Sequence, residues 1–219
     1  MPFGLTNSPA TYQRLMEECL GSLNMTICLI YLDDLIIFSD SFDQHLERLE
    51  IVMNRLKQCN LKLATEKCFF FQPRIKFLGH VVSGDGIETD PEKIEKIKNW
   101  PTPSNADELR SFLAFAGYYR RFMKDFSKIT RTLADFLPPT STKKGSKKSD
   151  TPWKWTENEQ HIFEQLKEKL STTPMLAYPD FKEPFDLHTD ASTRALGEDL
   201  YQTQEGRKRV IDYANKIRT

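Results

Sequence analysis

Two adjacent carboxylates, Asp33 and Asp34, stand in the stretch Thr26-Ile-Cys-Leu-Ile-Tyr-Leu-Asp-Asp-Leu-Ile-Ile-Phe-Ser-Asp40. In a regular strand, neighbouring side chains point to opposite faces, so two acids converge only where the backbone turns. The apolar runs on either side, Ile27 to Leu32 and Leu35 to Phe38, predict a hairpin with the acids at its tip. Converged carboxylates repel unless a proton or cation neutralises them, and hard divalent ions such as Mg²⁺ or Mn²⁺ take oxygen ligands. Two such ions about 3.5 to 4 Å apart stabilise the attacking and leaving oxygens of an in-line phosphoryl displacement. That chemistry calls for a further carboxylate from another strand, and none is evident before the hairpin, where Glu17 and Glu18 fall on a helix. Asp also favours tight turns, so the pair can be read as a polar turn and nothing more.

The remaining chemistry-bearing residues are less pointed. Cys19, Cys28, Cys59 and Cys68 show no short paired spacing, and the four histidines stand apart from them and from each other. The cysteines read as small buried apolar residues of a reducing compartment, not as a zinc site or a disulfide framework. No apolar run approaches the roughly 20 residues of a membrane span, and the first residues lack the pattern of a secretory signal, so an intracellular protein without a membrane partner is expected. Lys and Arg balance Asp and Glu at 31 each, but from Pro91 to Lys148 there are 13 of the former against 6 of the latter. A basic segment of this kind suits phosphate contact through counterion release, although a solvated helical face has the same composition.

The elements that must position these residues can be read in outline. Ser8-Pro9 predicts an N-cap and a first-turn proline for a helix to Leu20 that Gly21 ends. After the hairpin, Ser41 with Gln44 resembles a capping box, and Phe42, Leu46, Leu49, Met53 and Leu56 predict a helix with one buried stripe. Short strands are expected at Leu61 to Leu63, Cys68 to Phe71, Ile75 to Leu78 and Val81-Val82, punctuated by glycines. Pro91 to Asn99 and Asn105 to Phe126 read as helices, the second bearing Phe112, Phe115 and Tyr118-Tyr-Arg-Arg-Phe122. Residues 138–152 read as a basic flexible linker. Thr156 and Glu159 cap a helix to about Leu170, and Phe185 to Ser192 alternates like a strand. The class is α+β, helices covering one face of an antiparallel sheet.

The ordered series Met1-Pro-Phe-Gly-Leu-Thr-Asn-Ser-Pro-Ala-Thr-Tyr-Gln-Arg-Leu-Met16, Tyr31-Leu-Asp-Asp34, Lys67-Cys68, Phe77-Leu-Gly-His80, Leu109-Arg-Ser-Phe112, Tyr118-Tyr-Arg-Arg-Phe122 and Phe185-Asp-Leu-His-Thr-Asp-Ala-Ser192, with Gly197, resembles the reverse transcriptase of gypsy-type LTR retrotransposons. The resemblance implies a partial right-hand polymerase palm over 1–90, a helical thumb over 91–137, and the opening of an RNase H-like α/β segment over 153–219. It implies two-metal nucleotidyl transfer onto a primer 3′-hydroxyl, with Mg²⁺ or Mn²⁺ on Asp33 and Asp34, and Lys67 as proton donor to pyrophosphate. Phe3, Gly4 and Tyr31 would line the nucleotide and template. Phe77, Leu78, Gly79 and His80 would grip the primer, and Tyr118, Tyr119, Arg120 and Arg121 would face the duplex. Asp190 would be the first RNase H carboxylate. The implied partners are an RNA/DNA template-primer duplex, deoxynucleotides and a second Pol chain completing the site in trans.

Departures from the family pattern shape the expectation. The family's other essential palm aspartate lies upstream of the Met1-Pro-Phe-Gly-Leu segment, and the other RNase H acids lie beyond Thr219. The 219 residues are therefore expected to be inactive alone, as a non-catalytic nucleic-acid-binding remnant or as a subunit completed by another chain. Where the family usually has Gly-Ala-Val-Leu, this chain has Gly197-Glu-Asp-Leu200, which is expected to bury one acid at a cost of several kcal/mol or to force local rearrangement.

Overall fold

The computed structural model describes residues 4–137, 153–191 and 195–217; the expected linker 138–152 lies outside them. The chain falls into two compact units, Met1–Gln72 and Pro73–Thr219. Among the described residues no helix is long and apolar enough to cross a membrane.

In the first unit, helix α1 spans Ser8–Leu20, with Asn7 rather than Ser8 as its N-cap residue and Pro9 in the first turn, where the missing N–H costs nothing. Strands β1 (Cys28–Tyr31) and β2 (Asp34–Ile37) pair antiparallel with Cys28 opposite Ile37 and Tyr31 opposite Asp34. Helix α2 covers Phe42–Gln58. Met16, Cys19 and Leu20 of α1, Cys28 and Ile30 of β1, and Val52 and Leu56 of α2 form one core. Leu35 and Ile37 pack against it from the same face of the hairpin, so both helices cover that face.

The expected stripe of α2 is only half right. Leu56 is buried and Leu49 and Met53 are partly so, but Phe42 and Leu46 are exposed. The core reaches the C-terminal half of the helix, where Val52 joins it. The capping box is also displaced: Ser41 accepts from the Gln44 N–H, while the Gln44 side chain accepts from the backbone of Asp40. Cys19 and Cys59 are joined as a disulfide with Cα atoms 6.1 Å apart, which corrects the reading of all four cysteines as unpaired. They lie forty residues apart, and the packing of α1 on the end of α2 brings them together, which no local spacing could reveal. The strands expected at Leu61–Leu63 and Cys68–Phe71 are absent. Thr65–Lys67 is a 3₁₀ turn, and Phe69, Phe70 and Phe71 are exposed. Strand propensity comes to nothing where no neighbouring strand supplies a ladder.

The second unit opens with a meander of β3 (Arg74–Phe77), β4 (His80–Ser83) and β5 (Gly86–Thr89). Ile87 exchanges backbone hydrogen bonds of 2.8 and 2.9 Å with Leu176, which ties this sheet to the segment after the last helix. Gly86 makes that approach feasible: at φ 148° its absent Cβ would fall 2.2 Å from the Leu176 carbonyl oxygen. The compact division thus falls at 72/73 and leaves this meander with the helices that follow it.

Helices α3 (Pro91–Lys98), α4 (Ala106–Tyr118), α5 (Phe126–Asp135) and α6 (Glu157–Ser171) follow. Asp90, Asn105 and Thr156 cap α3, α4 and α6, and Thr156 with Glu159 completes the expected box. Leu109, Phe112, Tyr119, Phe122, Leu133, Phe163 and Leu166 are wholly or almost wholly buried in one core, with Phe112 and Phe163 rings 4.6 Å apart. The single helix expected to reach Phe126 is instead broken by a 3₁₀ turn at Arg120–Phe122 and by Asp125 at φ 59°. Tyr119, Phe122, Met123 and Phe126 keep helical spacing through the break, so periodicity alone could not locate it.

Strands β6 (Phe185–Ala191), β7 (Ala195–Gln204) and β8 (Arg207–Ile217) form a second meander. β6 is exposed on both faces, so its apolar alternation does not mark a buried side. The expected acid burial is present in part: Asp199 is 8% exposed and Glu198 is exposed. Asp199 is not left unpaired, because Lys124 between the 3₁₀ turn and α5 makes an ion pair with it. That hydrogen bond raises the Lys124 pKa. Arg121 reaches Asp212 of β8 at 3.3 Å nearby. Replacing Lys124 by Ala should lower the unfolding free energy by about 1–2 kcal/mol, since it leaves a buried carboxylate without its cation and with a 3.5 Å contact to the Tyr201 hydroxyl. In an Asp199→Val background the same replacement should cost less than about 0.5 kcal/mol. Urea unfolding of the four proteins tests this, and equal costs in both backgrounds would show that the pair is not coupled.

Candidate active site and nucleic-acid interface

In the first unit, Leu32 and Asp33 form the tip between β1 and β2, and Asp34 opens β2 opposite Tyr31. Both acids are exposed, as is Tyr31. Leu32 has φ 52°, a left-handed conformation that costs a side-chain-bearing residue on the order of 1–2 kcal/mol. The turn is held from α1: the Leu32 N–H donates to Gln13 Oε1 at 2.7 Å, and the Gln13 amide donates in turn to Glu17 at 2.9 Å. Gln13 is a residue that sequence reasoning missed. Its only sequence signal is a polar side chain beside the Tyr12, Met16, Cys19 and Leu20 stripe, which any surface residue could supply.

Two adjacent carboxylates suit a divalent ion that completes its shell with water and substrate phosphates, the usual habit of Mg²⁺. Among the described residues no third His, Cys, Asp or Glu gathers with them. Lys67 is exposed on the 3₁₀ turn. Gly4 is exposed at φ 90°, and Phe3 lies outside the described residues.

In the second unit, Phe77 and His80 pair across a two-residue turn of Leu78 and Gly79, with φ 48° and 72°. Positive φ at both central positions is the type I′ pattern, whose twist suits a hairpin. This is the hairpin expected at these residues. The Tyr118–Arg121 run divides: Tyr119 is 1% exposed and belongs to the core, whereas Tyr118, Arg120 and Arg121 are exposed. Arg121 is engaged by Asp212. Asp190 is exposed on β6, opposite Gly197.

Residues 1–82 match the family described as reverse transcriptase (RNA-dependent DNA polymerase), and residues 155–219 match the RNase H-like domain found in reverse transcriptase. The chain is 37% identical over 99% of its length to the Pol polyprotein of the Drosophila melanogaster transposon opus. It is 39% identical over 94% to that of transposon gypsy from the same fly. The relatives are Pol polyproteins of gypsy-type retrotransposons, and the two matched segments are their reverse transcriptase and RNase H-like parts. The chain spans about a fifth of these relatives, 22% of the opus polyprotein and 20% of the gypsy one. A foamy viral protease-reverse transcriptase in complex with double-stranded DNA matches the whole chain at TM-score 0.82 and 26% identity, over 36% of that structure's chain. The same viral enzyme in complex with an RNA/DNA hybrid matches at TM-score 0.80 and 25% identity, over 28% of its chain. The α+β architecture and the family of this Pol segment are therefore as the sequence led one to expect, and the reverse transcriptase family as a whole works with divalent metals.

The Gln13 contact makes a specific demand on the Asp-Asp turn of this reverse transcriptase segment. Gln13→Ala should raise amide exchange at Leu32 about fivefold or more, the loss of one ordinary hydrogen bond, with little change at Cys28 and Ile30. Unchanged protection at Leu32 would mean that the strands alone hold the turn.

Proposed function

We propose that this chain supplies part of the palm, the primer-gripping hairpin, the thumb and the opening RNase H-like strands of an RNA-directed DNA polymerase. The observation that carries the reading is the Asp33–Asp34 tip, strained at Leu32 and held by Gln13, within the segment that matches reverse transcriptases. Asp33 and Asp34 would hold Mg²⁺. Bound there, Mg²⁺ would stabilise negative charge on the attacking and leaving oxygens of phosphoryl transfer. The exposed ring of Tyr31 lies beside the acids in register and offers a face to a primer terminus or base. Exposed Arg120 and Tyr118 provide charge and a ring for the backbone and minor groove of an RNA/DNA duplex. Lys67 would give a proton to departing pyrophosphate, and Asp190 would serve the RNase H-like strands. The working substrates would be a template-primer and deoxynucleotides, and the setting intracellular.

A second reading has its own support. Because no third acid gathers with Asp33 and Asp34 among the described residues, the chain would act by itself as a duplex-binding module, with polymerisation needing a carboxylate from another chain. Fluorescence anisotropy with an RNA/DNA hybrid and a parallel primer-extension assay address both readings. Binding should weaken linearly in log salt with a slope of about −2 or steeper, and Arg120→Glu should reduce that slope. Mn²⁺ should broaden the backbone amide resonances of positions 33 and 34 in the wild type and leave those of the same positions sharp in Asp33→Asn. Absence of salt-dependent binding would overturn the nucleic-acid reading. Extension that disappears in Asp33→Asn would overturn the binding-module reading.

A further inference from the structure

Phe77–His80 and Tyr118–Arg121 read in sequence as two separate contacts to nucleic acid. In the structure, several of these residues also contact each other. The Tyr118 hydroxyl donates to the Leu78 carbonyl, and the Tyr119 hydroxyl donates to the Gly79 carbonyl at 2.9 Å. Both carbonyls of the hairpin turn are thus taken by adjacent phenols at the end of α4. His80 Nδ1–H donates to the same Leu78 carbonyl at 2.9 Å. Its ring lies 5.2 Å from Tyr118, 5.8 Å from Tyr119 and 5.4 Å from Phe122, stacked on the last at 26°. Gly79 leaves room for this arrangement: a Cβ there would stand 3.4 Å from the Tyr118 ring and 3.5 Å from the Tyr119 hydroxyl.

The imidazole is an unusual member of that cluster. His80 Nε2 is buried and has no hydrogen-bond partner among the described residues. A histidine placed to meet a primer would turn that nitrogen outward, whereas this one points it among aromatic rings. We propose that His80, Tyr118 and Tyr119 are positioning residues forming a latch that fixes the Leu78–Gly79 turn to the thumb, and that protonation of His80 loosens it. The proposal rests on the reading above that this hairpin and thumb engage a template-primer duplex, which they would then meet as one surface.

The charges facing His80 set the direction of the switch. Burial lowers its pKa from 6.5, and Arg121 on the 3₁₀ turn lowers it further. The Leu78 carbonyl, second only to burial, opposes this by accepting from the ring, and Asp90 before α3 opposes it least. The Tyr119 phenol, pushed up to about 12 chiefly by burial, stays protonated and remains a donor. Above about pH 6.5 the imidazole is neutral whether the latch is closed or open. Below it, the open form takes a proton more readily than the closed one, so the latch weakens as pH falls toward the depressed value.

The test uses the full 219-residue chain, its His80→Phe variant, which keeps a ring but cannot be protonated, and Tyr119→Phe, which removes only a hydroxyl. Amide exchange across residues 76–83, corrected for intrinsic rates, is compared at about pH 8 and about pH 5.5 with hybrid-duplex affinity measured in parallel. In the wild type, opening of this segment should rise at least about fivefold on acidification relative to the α6 amides, and in His80→Phe it should not. Tyr119→Phe should open the segment about fivefold at both pH values, with a similar loss of duplex affinity. Equal pH dependence in wild type and His80→Phe would overturn the switch. Unchanged exchange in Tyr119→Phe would overturn the latch. A pH-dependent opening without any duplex binding would leave the latch standing and remove the nucleic-acid reading on which its purpose rests.

Discussion

Among the described residues, three small antiparallel sheets, of two, three and three strands, carry almost everything of interest; a two-stranded hairpin is marginal in water alone, and a three-stranded one needs a buried face. Each has to be tied to other elements. In the first unit α1 and α2 bury the Cys28 and Ile30 face, which leaves the hairpin tip projecting into solvent. In the second, Ile87 at one end and Val210 at the other pack against the core that Phe112, Phe122 and Phe163 dominate. Helical cover is thus what fixes the sites. An acid pair needs an exposed turn on a rigid base, and a buried face under the strands provides that base.

The same demand explains where polar groups are buried. The second meander lies against the turn after α4, and there Asp199 lies almost wholly out of solvent beside Lys124, while Arg121 meets Asp212. An acid that would weigh against the fold if left alone becomes a point of attachment once a cation reaches it. Gln202 makes a comparable case. It is fully buried, and its amide is satisfied by the Asp180 backbone and the Glu183 carbonyl. Single-residue departures from a family pattern therefore have to be weighed with their spatial partners before they are read as damage.

Local features were largely legible. The Asp-Asp hairpin, the Leu78–Gly79 turn, the first-turn prolines of α1 and α3 and the Thr156–Glu159 box all lie within a few residues of the groups that satisfy them, so composition and spacing expose them. Errors arose where long-range partners decide. Phe69, Phe70 and Phe71 have strand-forming side chains but no ladder, and Phe42 and Leu46 have helical spacing but no core opposite them. The Tyr118–Arg121 run was expected to face a duplex, and the packing of the second core takes Tyr119 out of it.

The sequence by itself determined the family, the α+β class and the residues able to do chemistry, because motif order and local hydrogen-bonding capacity are written in the chain. Only the tertiary structure decided that Gln13 holds the Asp-Asp turn, that Cys19 meets Cys59, that Lys124 answers Asp199, and that Tyr118, Tyr119 and His80 hold a hairpin turn. Each of those pairs joins residues separated by 19 to 75 positions, apart from the His80 bond to its own turn. Such meetings follow from how helices and sheets bury their apolar faces together, a collective property of the fold that no short window of residues contains.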